Sequence, residues 1–79
     1  MNKIIDVVFT NNKITSPTTL SKLRRYSFIC NDDVKIGDLI SNSIYNTVQV
    51  VNIWNSSNTT IVRDGRKIEL VNFKVDKVL

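Results

Sequence analysis

Residues 59–70 read Thr-Thr-Ile-Val-Arg-Asp-Gly-Arg-Lys-Ile-Glu-Leu, with Asp64-Gly65 between two runs that contain β-branched residues. An Asp-Gly pair in this setting predicts a β-hairpin with a two-residue type I′ turn. Because the turn sets the register, residue 63 should pair with 66, residue 61 with 68 and residue 59 with 70. One face of the hairpin should then carry Ile61, Ile68 and Leu70, with Arg63 and Arg66 opposite each other at the tip.

The composition of the whole chain favours strands over helices. Ile, Val and Thr account for 27 of the 79 residues, and Ala is absent. β-branched residues prefer strands, whereas Ala is the strongest helix former. Strands are predicted at residues 3–10, 25–31, 38–41, 47–54, 59–63 and 66–73, and Val75 and Val78 suggest a short strand at the end of the chain.

The length of 79 residues corresponds to one domain, which we expect to span residues 1–79. Short strands joined by short turns predict a mostly β fold, a strongly bent SH3-like or OB-like barrel of five or six strands with at most one short helix. A chain of this size buries only about 60–65% of its unfolded surface. Self-association would add buried area, so a homo-oligomer is also expected.

The valine-rich segment 47–54 changes phase within its length. Val48 and Val50 alternate in one phase, whereas Val51 and Ile53 follow the opposite phase. A β-bulge near Val50-Val51 would reconcile the two patterns, and so would a strand that is covered on both faces. Either interpretation predicts a central, strongly bent strand.

Only residues 17–24 depart from the strand pattern. Ser16 can cap a helix that has Pro17 at its first position, and Leu20 and Leu23 recur at helical spacing. Thr18, Thr19 and Ser21 are poor helix formers. The segment is therefore predicted either as one or two helical turns or as an ordered loop.

The residues that are missing exclude several classes of site. The chain has no His and a single cysteine, Cys30, so it lacks a Ser-His or Cys-His pair, a zinc motif and an internal disulfide. Asp32, Asp33 and Asp38 do not have the spacing of a calcium loop. We expect no catalytic residue, no metal, no cofactor and no enzymatic activity, and we expect Cys30 to be a small buried apolar residue.

The start of the chain suggests neither export nor membrane insertion. The apolar run at residues 4–9 is interrupted by Asp6 and is too short for a signal sequence or a bilayer span. A cytoplasmic protein is expected.

Two basic groups are candidate sites for a partner or an anion. The first consists of Lys22, Arg24 and Arg25, and the second of Arg63, Arg66 and Lys67; the net charge of the chain is +4. Arginines close together can hold a phosphate or a carboxylate, but they can also extend into solvent. An anionic partner is favoured if the two groups converge in the fold.

Three aromatic residues, Tyr26, Tyr45 and Trp54, are candidates for an interface. Strand alternation places Tyr26 on the same face as Phe28 and Cys30. Such a face can belong to the core, or its rings can stack on nucleic-acid bases. Trp54 precedes a polar turn, where an indole can serve a contact surface or pack at the rim of the core.

Residues 26–53 resemble small proteins of bacteriophages and prophages. The resemblance lies in Tyr26-Ser27-Phe28-Ile29-Cys30, then Val34-Lys35-Ile36-Gly37-Asp38-Leu39-Ile40, then Val48-Gln49-Val50-Val51-Asn52-Ile53. In those proteins an aromatic strand leads through an apolar-Lys-apolar-Gly-Asp turn into further strands, as in many SH3-like barrels. The resemblance implies a fold and a phage or prophage origin, and it names no activity.

Two functional hypotheses follow from these observations. The first is a non-enzymatic, phage-encoded module that binds a protein, either a virion component or a host factor in the host cytoplasm, through the open edge of the barrel, Trp54 and Tyr45. The alternative is a binder of nucleic acid or nucleotides that uses the two basic groups, with Tyr26 or Tyr45 stacking on bases.

Overall fold

The computed structural model describes residues 1–79 and has 48% of them in strands and 8% in a helix. The elements in chain order are β1 (Asn2–Phe9), α1 (Pro17–Lys22), β2 (Tyr26–Ile29), β3 (Leu39–Asn42), β4 (Asn46–Ser56), β5 (Thr60–Arg63), β6 (Arg66–Glu69) and β7 (Lys77–Val78). The expectation of one small, mostly β domain is confirmed.

Five strands form an antiparallel sheet in the order β2-β1-β4-β3-β7, and β5 and β6 form a separate hairpin. The two sheets are not closed into a continuous barrel. β1 and β4 are inner strands of the larger sheet and have buried residues on both faces, such as Ile4 and Ile5 on β1 and Val48 and Gln49 on β4.

A register shift interrupts the pairing of β1 with β4. Asp6 pairs with Asn52, but the next residue of β1, Val7, pairs with Val50, so that Val51 has no partner on β1. This is a β-bulge, one of the two interpretations that the change of phase allows. Regular alternation would put Val50 and Ile53 on opposite faces of β4. Because the bulge adds one residue between them, Val48 and Val50 on one side of it and Ile53 on the other all pack on the core side of the sheet.

The other face of β1 and β4 is covered as well. Ile4 and Val8 are fully buried there, and Gln49 is 3% exposed. The Gln49 side chain accepts a hydrogen bond from the N–H of Ile14 at 2.7 Å and donates one to the carbonyl of Ile14 at 2.8 Å. Both polar groups of this buried amide are therefore satisfied, and the loop that leads to α1 is held against the sheet.

The main core lies on one side of the larger sheet. Three aromatic rings pack together at its centre: Phe28 lies 5.4 Å from Phe73 and 4.8 Å from Tyr45 between ring centroids. Around them are the remaining buried members of the cluster, Ile5, Val7, Cys30, Val34, Ile40, Val48 and Val50.

The segment that follows β6 connects the two edges of the larger sheet. The N–H of Ile29 donates to the carbonyl of Val71 at 2.9 Å, and the N–H of Phe73 donates to the carbonyl of Ile29 at 2.8 Å. Six residues later the N–H of Leu79 donates to the carbonyl of Leu39 on β3 at 2.7 Å. The predicted strand 66–73 is thus too long, because residues 71–73 leave the hairpin to pair with β2.

Residues 17–22 are helical, so the helical alternative for this segment is confirmed, although the helix ends two residues earlier than predicted. The Ser16 hydroxyl accepts a hydrogen bond from the N–H of Thr19, and Pro17 opens the first turn. None of the helical residues is buried, so packing does not extend the helix beyond Lys22. No helix of the protein has the length and apolar character needed to cross a membrane.

The β5–β6 hairpin has the predicted register. Arg63 pairs with Arg66 and Ile61 with Ile68, and the N–H of Leu70 donates to the carbonyl of Thr59. Asp64 and Gly65 both have positive φ angles, 53° and 75°, as a type I′ turn requires.

We predict that Gly65→Ala lowers the free energy of unfolding by about 1 kcal/mol, because a side chain strains the backbone at positive φ. An added Cβ at this position would meet no atom within 4 Å, so the loss is conformational rather than steric. Chemical denaturation would measure it. Gly65→Asn is the control and should lose less, since Asn tolerates this conformation. Equal losses for the two variants would contradict the assignment.

Candidate functional site

An open cleft lies between β2 and the β5–β6 hairpin. It has a volume of about 250 Å³, and we call it the arginine cleft. Its apolar lining comes from Tyr26, Phe28, Ile61, Ile68, Leu70 and Val71, and its polar lining from Arg24, Arg25, Ser27, Arg63 and Glu69.

The cleft exists because of the way the chain leaves the hairpin. Leu70 is only 5% exposed, and the next residues pair with β2 at Ile29 alone. The hairpin therefore stands beside the rest of β2 without pairing to it. Its apolar face, predicted from the Asp-Gly register, forms one wall of the gap.

The two basic groups of the sequence converge at this place. Arg24 and Arg25 line the arginine cleft together with Arg63. A second depression of about 600 Å³, which we call the basic groove, is lined by Arg24, Arg63, Asp64, Arg66, Lys67 and Ile68. Five of the six basic candidates thus border two adjoining cavities. Lys22, in the last turn of α1, lines neither cavity.

Arg63 ties the hairpin to the edge of β2. Its guanidinium donates from Nη1 to the carbonyl of Arg25 at 2.8 Å and from Nη2 to the Ser27 hydroxyl at 2.9 Å. Both acceptors are neutral. These bonds hold the Arg63 side chain in place across the cleft without a carboxylate in direct contact with it.

The carboxylate of Asp6 is hydrogen-bonded to Ser27. The Ser27 hydroxyl donates to Asp6 Oδ1, and the same carboxylate accepts from Asn52 Nδ2 at 3.2 Å and from Trp54 Nε1 at 3.4 Å. A chain of hydrogen bonds therefore runs from Arg63 through a hydroxyl to a carboxylate on the central strand β1. Such a chain orients Arg63 while its positive charge stays unneutralised by a direct ion pair.

The three candidate interface aromatics have different surroundings. Tyr26 lines the cleft and is 39% exposed; its ring meets Phe9 edge-on at 5.0 Å, and the Arg24 guanidinium lies 5.5 Å from its centroid. Tyr45 is stacked on Phe73 against the core, at 5.8 Å. Trp54 is half-buried and bonded to Asp6. Only Tyr26 lines either cavity among these three.

The carboxylates near Gly37 have structural partners. Asp38 Oδ2 accepts from the N–H of Lys35 at 2.9 Å, and Asp32 Oδ2 accepts from the N–H of Val75 at 2.8 Å. The protein contains no group of three or more His, Cys, Asp or Glu side chains placed to hold a metal ion. Each of these aspartates stabilises a turn or the C-terminal segment.

Cys30 is 1% exposed and belongs to the core cluster. Burial raises the pKa of its thiol above the ordinary value, and this outweighs the opposing effect of the backbone hydrogen bond from Asp32. A thiol with a raised pKa stays protonated at neutral pH and is a poor nucleophile.

Sequence reasoning missed two residues of this site, Ser27 and Asp6. Asp6 did carry a signal, since it is the single charge within the apolar run of β1. A charge on a central strand needs a polar partner, but its identity depends on which strands become neighbours.

Comparison of the chain with protein-family models, curated proteins and solved structures finds no match.

We predict that Ser27→Ala lowers the free energy of unfolding by about 1–2 kcal/mol, because the link between Arg63 and Asp6 is lost. Urea denaturation would measure the change. Ser57→Ala, at an exposed position, is the control and should stay within about 0.5 kcal/mol of the parent protein. If Ser27→Ala behaves like the control, the hydrogen-bond chain does not stabilise the fold.

We also predict that Cys30 resists iodoacetamide near neutral pH in the folded protein and reacts rapidly after denaturation. Because the pKa is raised on folding, this thiol's contribution to stability is full below its ordinary pKa and is lost as the pH rises through the folded-state pKa. Mass spectrometry would follow alkylation. The variant Cys30→Ala, Ser57→Cys should react quickly in both states. Rapid labelling of native Cys30 would show that the core opens there.

Proposed function

We propose that the protein is a non-enzymatic interaction module that binds a protein partner in the arginine cleft. The observation that carries this proposal is an apolar cavity with arginines on its rim. The apolar wall can receive a side chain of the partner, and the arginines can hold a carboxylate next to it.

The size of the cleft suits a protein side chain better than a large ligand. Small-molecule and cofactor sites commonly enclose about 300–1,000 Å³. At about 250 Å³ this cleft is smaller, and it opens along the edge of β2. Apolar anchors inserted into a pocket of this kind dominate the energetics of many protein interfaces.

The charge of the rim favours an acidic partner. Arg24, Arg25 and Arg63 surround the apolar wall, and the net charge of the chain is +4. Arginine forms paired hydrogen bonds with a carboxylate, and complementary charge accelerates association. Glu69, the one acidic residue in the lining, accepts hydrogen bonds from the hydroxyls of Thr59 and Thr60.

Nucleic-acid or nucleotide binding is the second candidate, and the basic groove favours it. Arg24, Arg63, Arg66 and Lys67 border that groove and could follow a phosphate backbone. Base stacking would need an open aromatic face. Tyr26 already has Arg24 against its ring, and Tyr45 packs against the core, so we place protein binding first.

The phage origin, the homo-oligomer and the barrel are part of the same proposal. The resemblance to phage proteins implies that the partner is a virion component or a host factor and that the protein acts in the host cytoplasm, and these stay predictions. A homo-oligomer also stays a prediction, which light scattering would test. The SH3-like or OB-like barrel is supported by the C-terminal segment, which pairs with β2 at one edge of the larger sheet and then, as β7, with β3 at the other.

Two charged substitutions on the same hairpin test the proposed function. Ile68 lines the arginine cleft, whereas Val62 is 70% exposed and belongs to neither cavity. We expect the parent protein to select, from a random peptide library, sequences that combine an apolar and an acidic residue. Ile68→Glu should weaken binding of the selected peptides at least tenfold, and Val62→Glu should change it less than about twofold.

Circular dichroism of both variants would show that the fold is retained. Equal binding by the two variants would place the site elsewhere. Failure to select any peptide, together with oligonucleotide binding that falls steeply with salt, would replace the protein-binding proposal with the nucleic-acid alternative.

A further inference from the structure

The outer edge of β2 is only partly paired. Ile29 uses both its N–H and its carbonyl for hydrogen bonds with residues 71–73. On the other side of the strand, the N–H of Cys30 donates to the carbonyl of Lys3 on β1. In an antiparallel pair the backbone groups of successive residues point alternately toward and away from the partner strand.

This alternation fixes the direction of the backbone groups of Ser27. Ser27 pairs with Asp6 and lies two residues before Ile29, so its N–H and carbonyl point away from β1, as those of Ile29 do. Ser27 lines the arginine cleft, and neither of its backbone groups bonds to any residue beyond β1. The cleft therefore contains one free strand donor and one free strand acceptor.

The residue before β2 shows that this edge accepts hydrogen bonds. The carbonyl of Arg25 points to the same side of β2 as those of Ser27 and Ile29, and it accepts a hydrogen bond from the Arg63 guanidinium. Three alternate residues along this edge therefore differ in their hydrogen bonding. The carbonyl of Arg25 is bonded to a side chain, the backbone groups of Ser27 are free, and those of Ile29 are bonded to residues 71–73. An unpaired strand edge is a template for another extended chain.

We propose that an extended acidic–apolar peptide segment adds to β2 at Ser27, between the Arg63 side chain bonded to Arg25 and the residues 71–73 that pair with Ile29. This inference rests on the proposed function and specifies how the partner is recognised. The backbone of the segment pairs with the N–H and carbonyl of Ser27. Its side chains alternate between the two faces of the added strand, which is the mode of recognition called β-augmentation.

Charge and surface chemistry determine the class of segment. One wall of the cleft presents the apolar side chains Ile61, Ile68 and Leu70, while Arg24 and Arg63 present guanidinium groups. A segment that alternates a β-branched residue with a glutamate satisfies both, because alternate side chains of a strand point to opposite sides. Arg63 donates only to the Arg25 carbonyl and the Ser27 hydroxyl, which are neutral. A glutamate of the segment beside Arg63 would give the guanidinium a negatively charged partner.

A synthetic peptide with backbone modifications tests the inference. The probe is acetyl-Glu-Val-Glu-Val-Glu-amide, added to the ¹⁵N-labelled full chain and followed by NMR. We expect saturable binding, with the largest protection from hydrogen exchange at the Ser27 amide. Arg63→Gln should weaken binding at least fivefold, whereas Lys35→Gln, at an exposed position outside the cleft, should leave it unchanged.

N-methylation separates strand addition from binding by side chains alone. One peptide is methylated on the amides of its two valines and the other on the amides of all three glutamates. Since the amides of alternate residues point to the same side of a strand, one modified peptide should lose at least tenfold in affinity and the other less than about twofold.

Each outcome decides between the two proposals. Equal affinity of the two methylated peptides, with the effect of Arg63→Gln retained, would overturn strand addition and leave the proposed function standing. Absence of binding by this peptide would overturn strand addition, whereas the proposed function is decided by the library selection; binding of an oligonucleotide at the same residues would identify nucleic acid as the occupant. If Arg63→Gln fails to fold, Arg24→Gln provides the same comparison.

Discussion

The pairing of Ile29 with the segment after β6 is the constraint on which the rest of the structure depends. Two backbone hydrogen bonds, to the carbonyl of Val71 and from the N–H of Phe73, attach this segment to the edge of β2. They bring Phe73 into the core, where it is 1% exposed and packs against Phe28. They also end β6 at Glu69 and hold the hairpin beside β2 without pairing to it. The core and the arginine cleft are therefore two consequences of one attachment.

The electrostatic organisation of the cleft follows from the position of Asp6 on a central strand. A carboxylate in the middle of a sheet needs donors, and it obtains them from Ser27, Asn52 and Trp54. Ser27 in turn accepts a hydrogen bond from Arg63, so a structural requirement of the sheet also positions a cation at the cleft. Next to an apolar wall, where the effective dielectric constant is lower than in water, such a cation attracts an anion more strongly than one in solvent does.

Local patterns predicted much of the fold and part of the site. The type I′ turn at Asp64-Gly65 was predictable because so few residue pairs accept two positive φ angles. The bulge at Val51 was predictable because a change of apolar phase within one strand has few structural explanations. The end of β6 was not, since residues 70–73 have strand-forming sequences whichever partner they pair with. The roles of Ser27 and Asp6 also escaped prediction, because each depends on the order of strands in the sheet.

The strand-rich character, the hairpin register and the types of side chain available for binding follow from the amino-acid sequence, because they depend on backbone preferences and on alternation along the chain. The folded arrangement of the strands brings Arg24 and Arg25 to Arg63, Arg66 and Lys67, gives Tyr45 and Trp54 partners elsewhere, and leaves the edge of β2 free at Ser27. The residues that meet are far apart in the sequence, 38 positions for Arg25 and Arg63 and 48 positions for Asp6 and Trp54. The distance between them is set by sheet order and by the packing of Phe73, neither of which is encoded in any local pattern.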